Sequence, residues 1–219
     1  MPVFSLDDNE ISFPLPELAR DDGLLAIGGD LSMDRLILAY SHGIFPWYNE
    51  GDPILWWCPK ERYIIRPENI HVSHSMKKFI RKHDIRVSVN RDFSDTMHRC
   101  RLKREFEEGT WITTDMESAY AVLARNNLAM SVDAYIDGQL AGGLYGVSLG
   151  KCFFGESMFS DMENGSKLAL IGLAQMLQEE GYLMIDCQFH TDHLQSMGGE
   201  SISYEKYKKI LNEGIGSRL

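Results

Sequence analysis

No stretch of about 18 consecutive apolar residues occurs, the length a helix needs to cross a bilayer, so no membrane span and no membrane partner is expected. Cysteine is scarce. The four present, Cys58, Cys100, Cys152 and Cys187, lack the spacing of a disulfide framework. The opening residues MPVFSLDDNE hold no basic segment leading into an apolar one, so no secretory signal is expected. Reduced thiols and a cytoplasmic location follow as expectations. Internal repeats and low-complexity segments are missing. Net positive charge is missing too: 22 basic against 32 acidic residues give −10, which excludes coating nucleic acid by net charge alone. What is present, 44% hydrophobic and 25% charged residues over 219 positions, is the composition of one folded domain or two small ones.

The charge is unevenly distributed. Lys60 to Arg104 holds 13 basic and 5 acidic residues, leaving 9 basic and 27 acidic for the rest. A basic segment in an acidic chain points to one local polyanion site, or to a solvated helix face. Periodicity predicts a helix over Leu31–His42 with Gly43 as its stop, and a short basic amphipathic helix over Ser73–His83. Two more helices are predicted over Phe93–Phe106 and Asp115–Asn127. Strands follow at Ala129–Tyr135, Leu140–Leu149 and Lys151–Met158, joined at Asp137-Gly138 and Gly150. A helix capped by Asn164 or Ser166 should run to Glu180 and stop at Gly181. A buried strand at Tyr182–Gln188 and a helix at Ser203–Leu211 complete an α+β sheet layered with helices. The first 60 residues, rich in Gly, Pro and Trp, read as a small irregular lobe, with residues 61–219 as the main domain.

Taken singly, most motifs are weak. GLLAIGGDL is not followed by Gly-Lys-Ser/Thr, so its glycines read as a turn rather than a phosphate loop. Cys187, His190 and His193 fall short of a four-ligand zinc site, and Cys187 lies in an apolar run where burial makes a thiol inert. Glu156 and Asp186 are more informative, since each interrupts an apolar strand and a buried carboxylate needs donors or a cation. Strand alternation would put Glu156 with Met158 on one face, and Asp186 with Gln188 on one face. The two carboxylates then serve either a cleft or a satisfied core network. Aromatics cluster at Phe45, Trp47, Tyr48, Trp56 and Trp57. Trp56 and Trp57 cannot both point inward from an extended strand, so one should face a cleft, a partner or solvent.

In order along the chain stand FPLPEL, DGLLAIGGDLS, AYSHGIFPWY, GDPILWWCP, EGTWIT, AYAVL, GGLYGVSLG, FFGESMFSDMENGSKLAL and IDCQFHTDHLQSMGG. Together, from about Phe13 to about Leu211, they resemble the leucyl/phenylalanyl-tRNA–protein transferase family of bacteria. The resemblance implies a GNAT-like acyltransferase C-terminal domain with a smaller N-terminal α/β lobe. It implies transfer of Leu, Phe and, less well, Met from aminoacyl-tRNA to the N-terminal Arg or Lys of proteins in the N-degron pathway. No cofactor is implied, neither ATP nor metal, because the aminoacyl ester is already activated; a monomer is expected. Trp47 and Trp111 match the aromatics that hold the terminal adenosine. Leu144, Phe153, Met158 and Ile185 match the apolar donor pocket. Glu156 matches the carboxylate near the amines, and Asp186 and Gln188 match the pair that steers and deprotonates the attacking amine. Lys77, Lys78, Arg81 and Lys82 match a helix that meets tRNA phosphates. The segment Met130–Tyr135 departs from the family's usual His-Ser-Val-Glu-x-Trp.

Two other readings compete. A coenzyme A-dependent N-acetyltransferase on the same sheet would need a pyrophosphate loop that SDMENGSKLAL does not contain. A non-catalytic binder of basic N-termini or tRNA ends would have no use for Glu156, Asp186 and Gln188 together.

Overall fold

The structure, a computed structural model, describes residues 3–8, 10–107 and 110–216. Glu108 and Gly109, which open the EGTWIT motif, lie outside the described residues. Two sheets carry the fold. The first has the order β1-β2-β4-β3, from β1 (Phe4–Leu6), β2 (Leu24–Gly28), β3 (Phe45–Pro46) and β4 (Leu55–Trp57). Helix α1 (Met33–Ser41) connects β2 to β3, and Gly43 stops it with φ +73°. A side chain there would also meet Tyr207, whose Cε1 lies 2.6 Å from the position of an added Cβ. The N-terminal lobe is therefore ordered into a sheet rather than irregular. Its strands are two to five residues long, too short for alternation to register. Trp56 is fully buried with Phe13 against its ring, while Trp57 stays partly exposed and lies beside Trp47.

The second sheet has seven strands, β5 (Glu61–Ile65), β6 (Ile85–Val89), β7 (Ala129–Ile136), β8 (Gln139–Leu149), β9 (Cys152–Ser160), β10 (Met184–Gln188) and β11 (Glu200–Ser203). Their order is β11-β5-β10-β9-β8-β7-β6. The predicted meander is β7-β8-β9, with its first turn at Asp137 and Gly138, both at positive φ, and its second at Gly150. Strands β5, β6 and β11, missing from the sequence reading, extend the sheet on both sides. Every pairing is antiparallel except β9–β10. That parallel pair requires a crossover, which α5 (Gly165–Glu179) supplies. Asn164 precedes α5 in a left-handed conformation and makes no side-chain cap. Gly165 is needed instead, because an added Cβ would lie 1.9 Å from the carbonyl oxygen of Ala141.

Helix α5 covers one face with Leu168, Leu170, Leu173 and Leu177. The opposite face receives α1, α3 (Phe93–Glu107), α4 (Thr114–Arg125) and α7 (Tyr204–Ile215) around Phe154, Tyr145, Tyr120 and Tyr207. The basic helix α2 (His74–Lys82) is capped by Ser73, whose hydroxyl accepts from the Met76 N–H. A short helix, α6 (Asp192–Ser196), follows β10. Among the described residues, no helix is long and apolar enough to cross a membrane.

Two irregularities make the site. Strands β9 and β10 pair only at Cys152–Met184, Phe153–Ile185 and Phe154–Asp186, and then part. On the far side of β9, Tyr145 pairs with Ser157 and Gly146 with Gly155, so Glu156 is the extra residue of a bulge. The alternation expected for Glu156 and Met158 therefore fails. Glu156 turns toward α1 and α4, whereas Met158 packs with the residues under α5. A second bulge falls between Asp186 and Gln188, which pair with the adjacent residues Ile64 and Tyr63, and Gln188 sits at φ +59°. Asp186 and Gln188 do not share a face by simple alternation either.

Candidate active site

Where β9 and β10 part lies a cavity of about 330 Å³. Leu144, Phe153, Met158 and Ile185 all line it, joined by Leu170 and Leu173 of α5. These are the four apolar residues singled out in the sequence, now on one wall. Trp47, Trp111 and Phe189 line it as well. Trp47 is 42% exposed and lies 5.7 Å from Trp57 and 5.6 Å from Phe189, ring centre to ring centre. The indole N–H of Trp57 donates to the Trp47 carbonyl at 2.7 Å, fixing the backbone that presents the exposed ring. A large exposed aromatic beside a cavity offers a stacking face.

Glu156 enters this cavity from the bulge. The Tyr40 hydroxyl donates to its Oε1 at 2.7 Å and the Tyr120 hydroxyl to its Oε2 at 3.5 Å. The two tyrosine hydroxyls also contact each other. Burial pushes the Glu156 carboxyl up to about 8, against the hydrogen bond from Tyr40, which favours the charged form. Both tyrosines are held well above their ordinary value, first by burial and then by the adjacent carboxylate. Glu156 is thus poised to exchange a proton near neutrality.

Asp186 is fully buried and does not line the cavity. Its Oδ2 accepts from Arg62 Nη2 at 2.7 Å and from the Tyr207 hydroxyl at 2.8 Å, while Arg62 Nε donates to Oδ1 at 2.9 Å. Burial opposes the charge on Arg62, but the Asp186 carboxylate outweighs it and raises the guanidinium above its ordinary value. Phe45 and Tyr207 cover that guanidinium at 4.8 and 4.6 Å from their ring centres. The remaining bond is informative: the backbone N–H of Gln188 donates to Asp186 Oδ1 at 2.9 Å. Asp186 therefore holds the left-handed turn that carries Gln188, instead of touching its side-chain amide. Gln188 does line the cavity, and its buried Nε2 has no hydrogen-bond partner among the described residues. An unsatisfied buried donor at a cavity wall is suited to a ligand acceptor. The Cys187 thiol is pushed up by burial, as expected of an inert cysteine. No group of three His, Cys, Asp or Glu side chains gathers at metal-binding spacing among the described residues.

On α2, Lys77, Lys78, Arg81 and Lys82 are all exposed, and none forms an ion pair among the described residues. Much of the remaining basic segment is neutralised locally: Lys60 by Asp21, Arg62 by Asp186, Arg66 by Glu200, Arg86 by Asp84, Arg99 by Asp95 and Arg101 by Glu117. The unpaired cations thus concentrate further than the sequence count indicates. The atypical strand Met130–Tyr135 lies within β7 and does not line the cavity; its Asp133 is buried, accepting from the Thr96 hydroxyl at 2.9 Å.

Tyr40, Tyr120, Arg62 and Tyr207 carry much of this geometry and were not singled out in the sequence. Tyr40 and Tyr120 stand second in AYSHGIFPWY and AYAVL, but what binds them is a carboxylate 116 and 36 residues away. A sheet that parts beside a bulged carboxylate, with an apolar chamber and an aromatic mouth, forms a cleft suited to a ligand that is part apolar and part aromatic. A family model for leucyl/phenylalanyl-tRNA protein transferase matches residues 64–212, and that for the N-terminal domain of the same family matches residues 29–60. A leucyl/phenylalanyl-tRNA–protein transferase from Pseudomonas fluorescens (strain Pf0-1) is 49% identical over 208 residues, 94% of this chain and 92% of its own. One from Desulfatibacillum aliphaticivorans is 51% identical over 216 residues, 98% of this chain and 92% of its own. The protein is an enzyme of the aminoacyltransferase class. It belongs to the leucyl/phenylalanyl-tRNA–protein transferase family. Distant likeness extends to L-PGS from Bacillus licheniformis, at 12% identity and TM-score 0.46 over 89% of this chain and 74% of that one. A GCN5-related N-acetyltransferase from Kribbella flavida matches at 9% identity and TM-score 0.40, over 80% and 62%.

Proposed function

We propose that this protein takes Leu, Phe and, less well, Met from aminoacyl-tRNA and joins it to the N-terminal Arg or Lys of a protein. It acts as a cytoplasmic monomer in which residues 1–60 form the small lobe and residues 61–219 the transferase domain. The observation that carries the reading is the cavity itself, whose apolar wall, aromatic mouth and Glu156–Gln188 pair meet in one opening. In the reaction, the acceptor amine nitrogen attacks the ester carbonyl. A peptide bond forms, the carbon–oxygen ester bond breaks, and the tRNA's terminal hydroxyl leaves with the proton that the amine gives up.

Leu144, Phe153, Met158 and Ile185 accept the donor side chain, with Met158 adapting to its shape. Such a chamber separates donors by about 1–3 kcal/mol per methylene and rejects charged ones through desolvation. Trp47 and Trp111 hold the terminal adenosine by stacking. The protonated α-amine has a pKa of about 8, so Glu156, with a carboxyl near the same value, takes that first proton at little cost and frees the amine to attack; the second proton, lost as the amide forms, goes to the leaving hydroxyl. The Gln188 amide oxygen aligns the attacking amine by accepting from its N–H, and Asp186 is a positioning residue that acts through the Gln188 backbone. The exposed cations of α2 receive tRNA phosphates. Single-turnover transfer from Phe-tRNA to an Arg-starting peptide tests the reading: a peptide extended by Phe is expected, and failure of the folded protein to make it would overturn the proposal.

A further inference from the structure

The one arginine of the cavity lining is unused by this scheme. Among the described residues lining the cavity stand one carboxyl, Glu156, and one guanidinium, Arg104. Arg104, on α3, is half-buried, and its Nε donates to the buried Ser157 hydroxyl at 2.9 Å. Its guanidinium carbon lies 5.8 Å from the centre of the Trp111 ring. The terminal nitrogens of that guanidinium make no hydrogen bond and no ion pair among the described residues.

An arginine fastened at one nitrogen, with the rest of its planar fork left open beside a stacking ring, is arranged for an oxyanion. Glu156 follows a different geometry, since its carboxylate is held by tyrosines of α1 and α4. The cavity thus offers a proton-exchanging carboxyl and an anion-seeking guanidinium at separate anchors. On the proposed function, the amines answer Glu156, and the anion closest to the donor's terminal nucleoside is the phosphate on its 5′ side. Resting on that reading, we infer that Arg104 binds the 5′-phosphate of the donor's terminal nucleotide while Trp111 supports its base. Affinity gained there acts on donor binding and leaves the reacting ester to Glu156 and Gln188.

Two minimal donors separate the outcomes: phenylalanyl-adenosine, and the same ester carrying a 5′-monophosphate. Each is offered as a substrate and as a competitor of Phe-tRNA, to the wild type and to Arg104→Met and Arg104→Lys, with folding checked by circular dichroism. One charge-assisted fork should make the wild type favour the phosphorylated donor by about tenfold or more in kcat/KM and in competition. Arg104→Met should bring that ratio close to one, and Arg104→Lys should restore part of it. An unchanged ratio in folded Arg104→Met, or an equal loss with both donors, would overturn the inference, the second result marking a role at the ester or in packing. A wild type that uses Phe-tRNA but shows no preference between the minimal donors sinks this inference alone. One that fails with Phe-tRNA sinks the proposed function and the inference with it.

Discussion

Replacing Glu156 by Gln should stabilise the protein at high pH while damaging transfer. Burial raises the Glu156 carboxyl from 4.5 to about 8, so the folded state retains a proton that the unfolded chain has released. Between those two values the folded state binds more protons, and stability falls as pH rises. The contribution is complete below pH 4.5 and lost once pH passes about 8. At about 1.4 kcal/mol per pH unit, the full window would cost roughly 5 kcal/mol. Water in the open cavity screens part of this, and about 2–3 kcal/mol is expected. Glutamine stays neutral and keeps an oxygen for the Tyr40 hydroxyl to donate to. For a chain of this size, Glu156→Gln should therefore melt roughly 5–10 °C higher than wild type at pH 9, with the gap closing toward pH 5. Thermal unfolding at pH 5, 7 and 9 reads the stability, and single-turnover transfer reads the lost function. Parallel pH–stability curves for the two proteins would refute the argument, since they would mean that Glu156 titrates alike folded and unfolded.

How far the sequence reaches is seen by comparing β8 with β10. In the meander, hydrophobic alternation and the Asp137-Gly138 turn are local signals, and β7, β8 and β9 lie within two residues of their predicted bounds. The helices behave similarly, because Ser73 and Thr113 cap them within the same few residues. Strands β5, β6 and β11 were invisible for the opposite reason: four or five residues each, they are strands through partners such as Ile136 and Ile185 that are distant in sequence. The apolar wall was legible by motif, but the orientation of Glu156 was not. Alternation assigns faces only while the register is unbroken, and the two bulges that build the cleft are where it breaks. Arg62 looked like one more member of a basic segment, and only the tertiary fold turns it into the buried partner of Asp186. Functional sites sit where local rules yield to the global fold.

The remaining expectations concern the donor wall, the basic helix and the reaction centre. Met158→Asp should abolish transfer of Leu and Phe, because a carboxylate facing the donor side chain costs about 1–3 kcal/mol or more; full activity of the folded variant would remove Met158 from the pocket. Changing Lys77, Lys78, Arg81 and Lys82 to Glu should weaken tRNA binding and flatten its salt dependence without altering folding. Unchanged affinity in a salt titration would place tRNA elsewhere. Gln188→Ala should slow single-turnover transfer more than it weakens tRNA binding, since it removes a group that aligns the amine during attack. Asp186→Asn should slow transfer too and also destabilise the fold by about 3–5 kcal/mol, leaving Arg62 buried beside a neutral partner. If Asp186 works by holding the Gln188 backbone, the double variant should transfer little more slowly than the slower single one. Multiplying losses, measured on protein shown by denaturant titration to be folded, would mean that Asp186 reaches the reaction by a route other than Gln188.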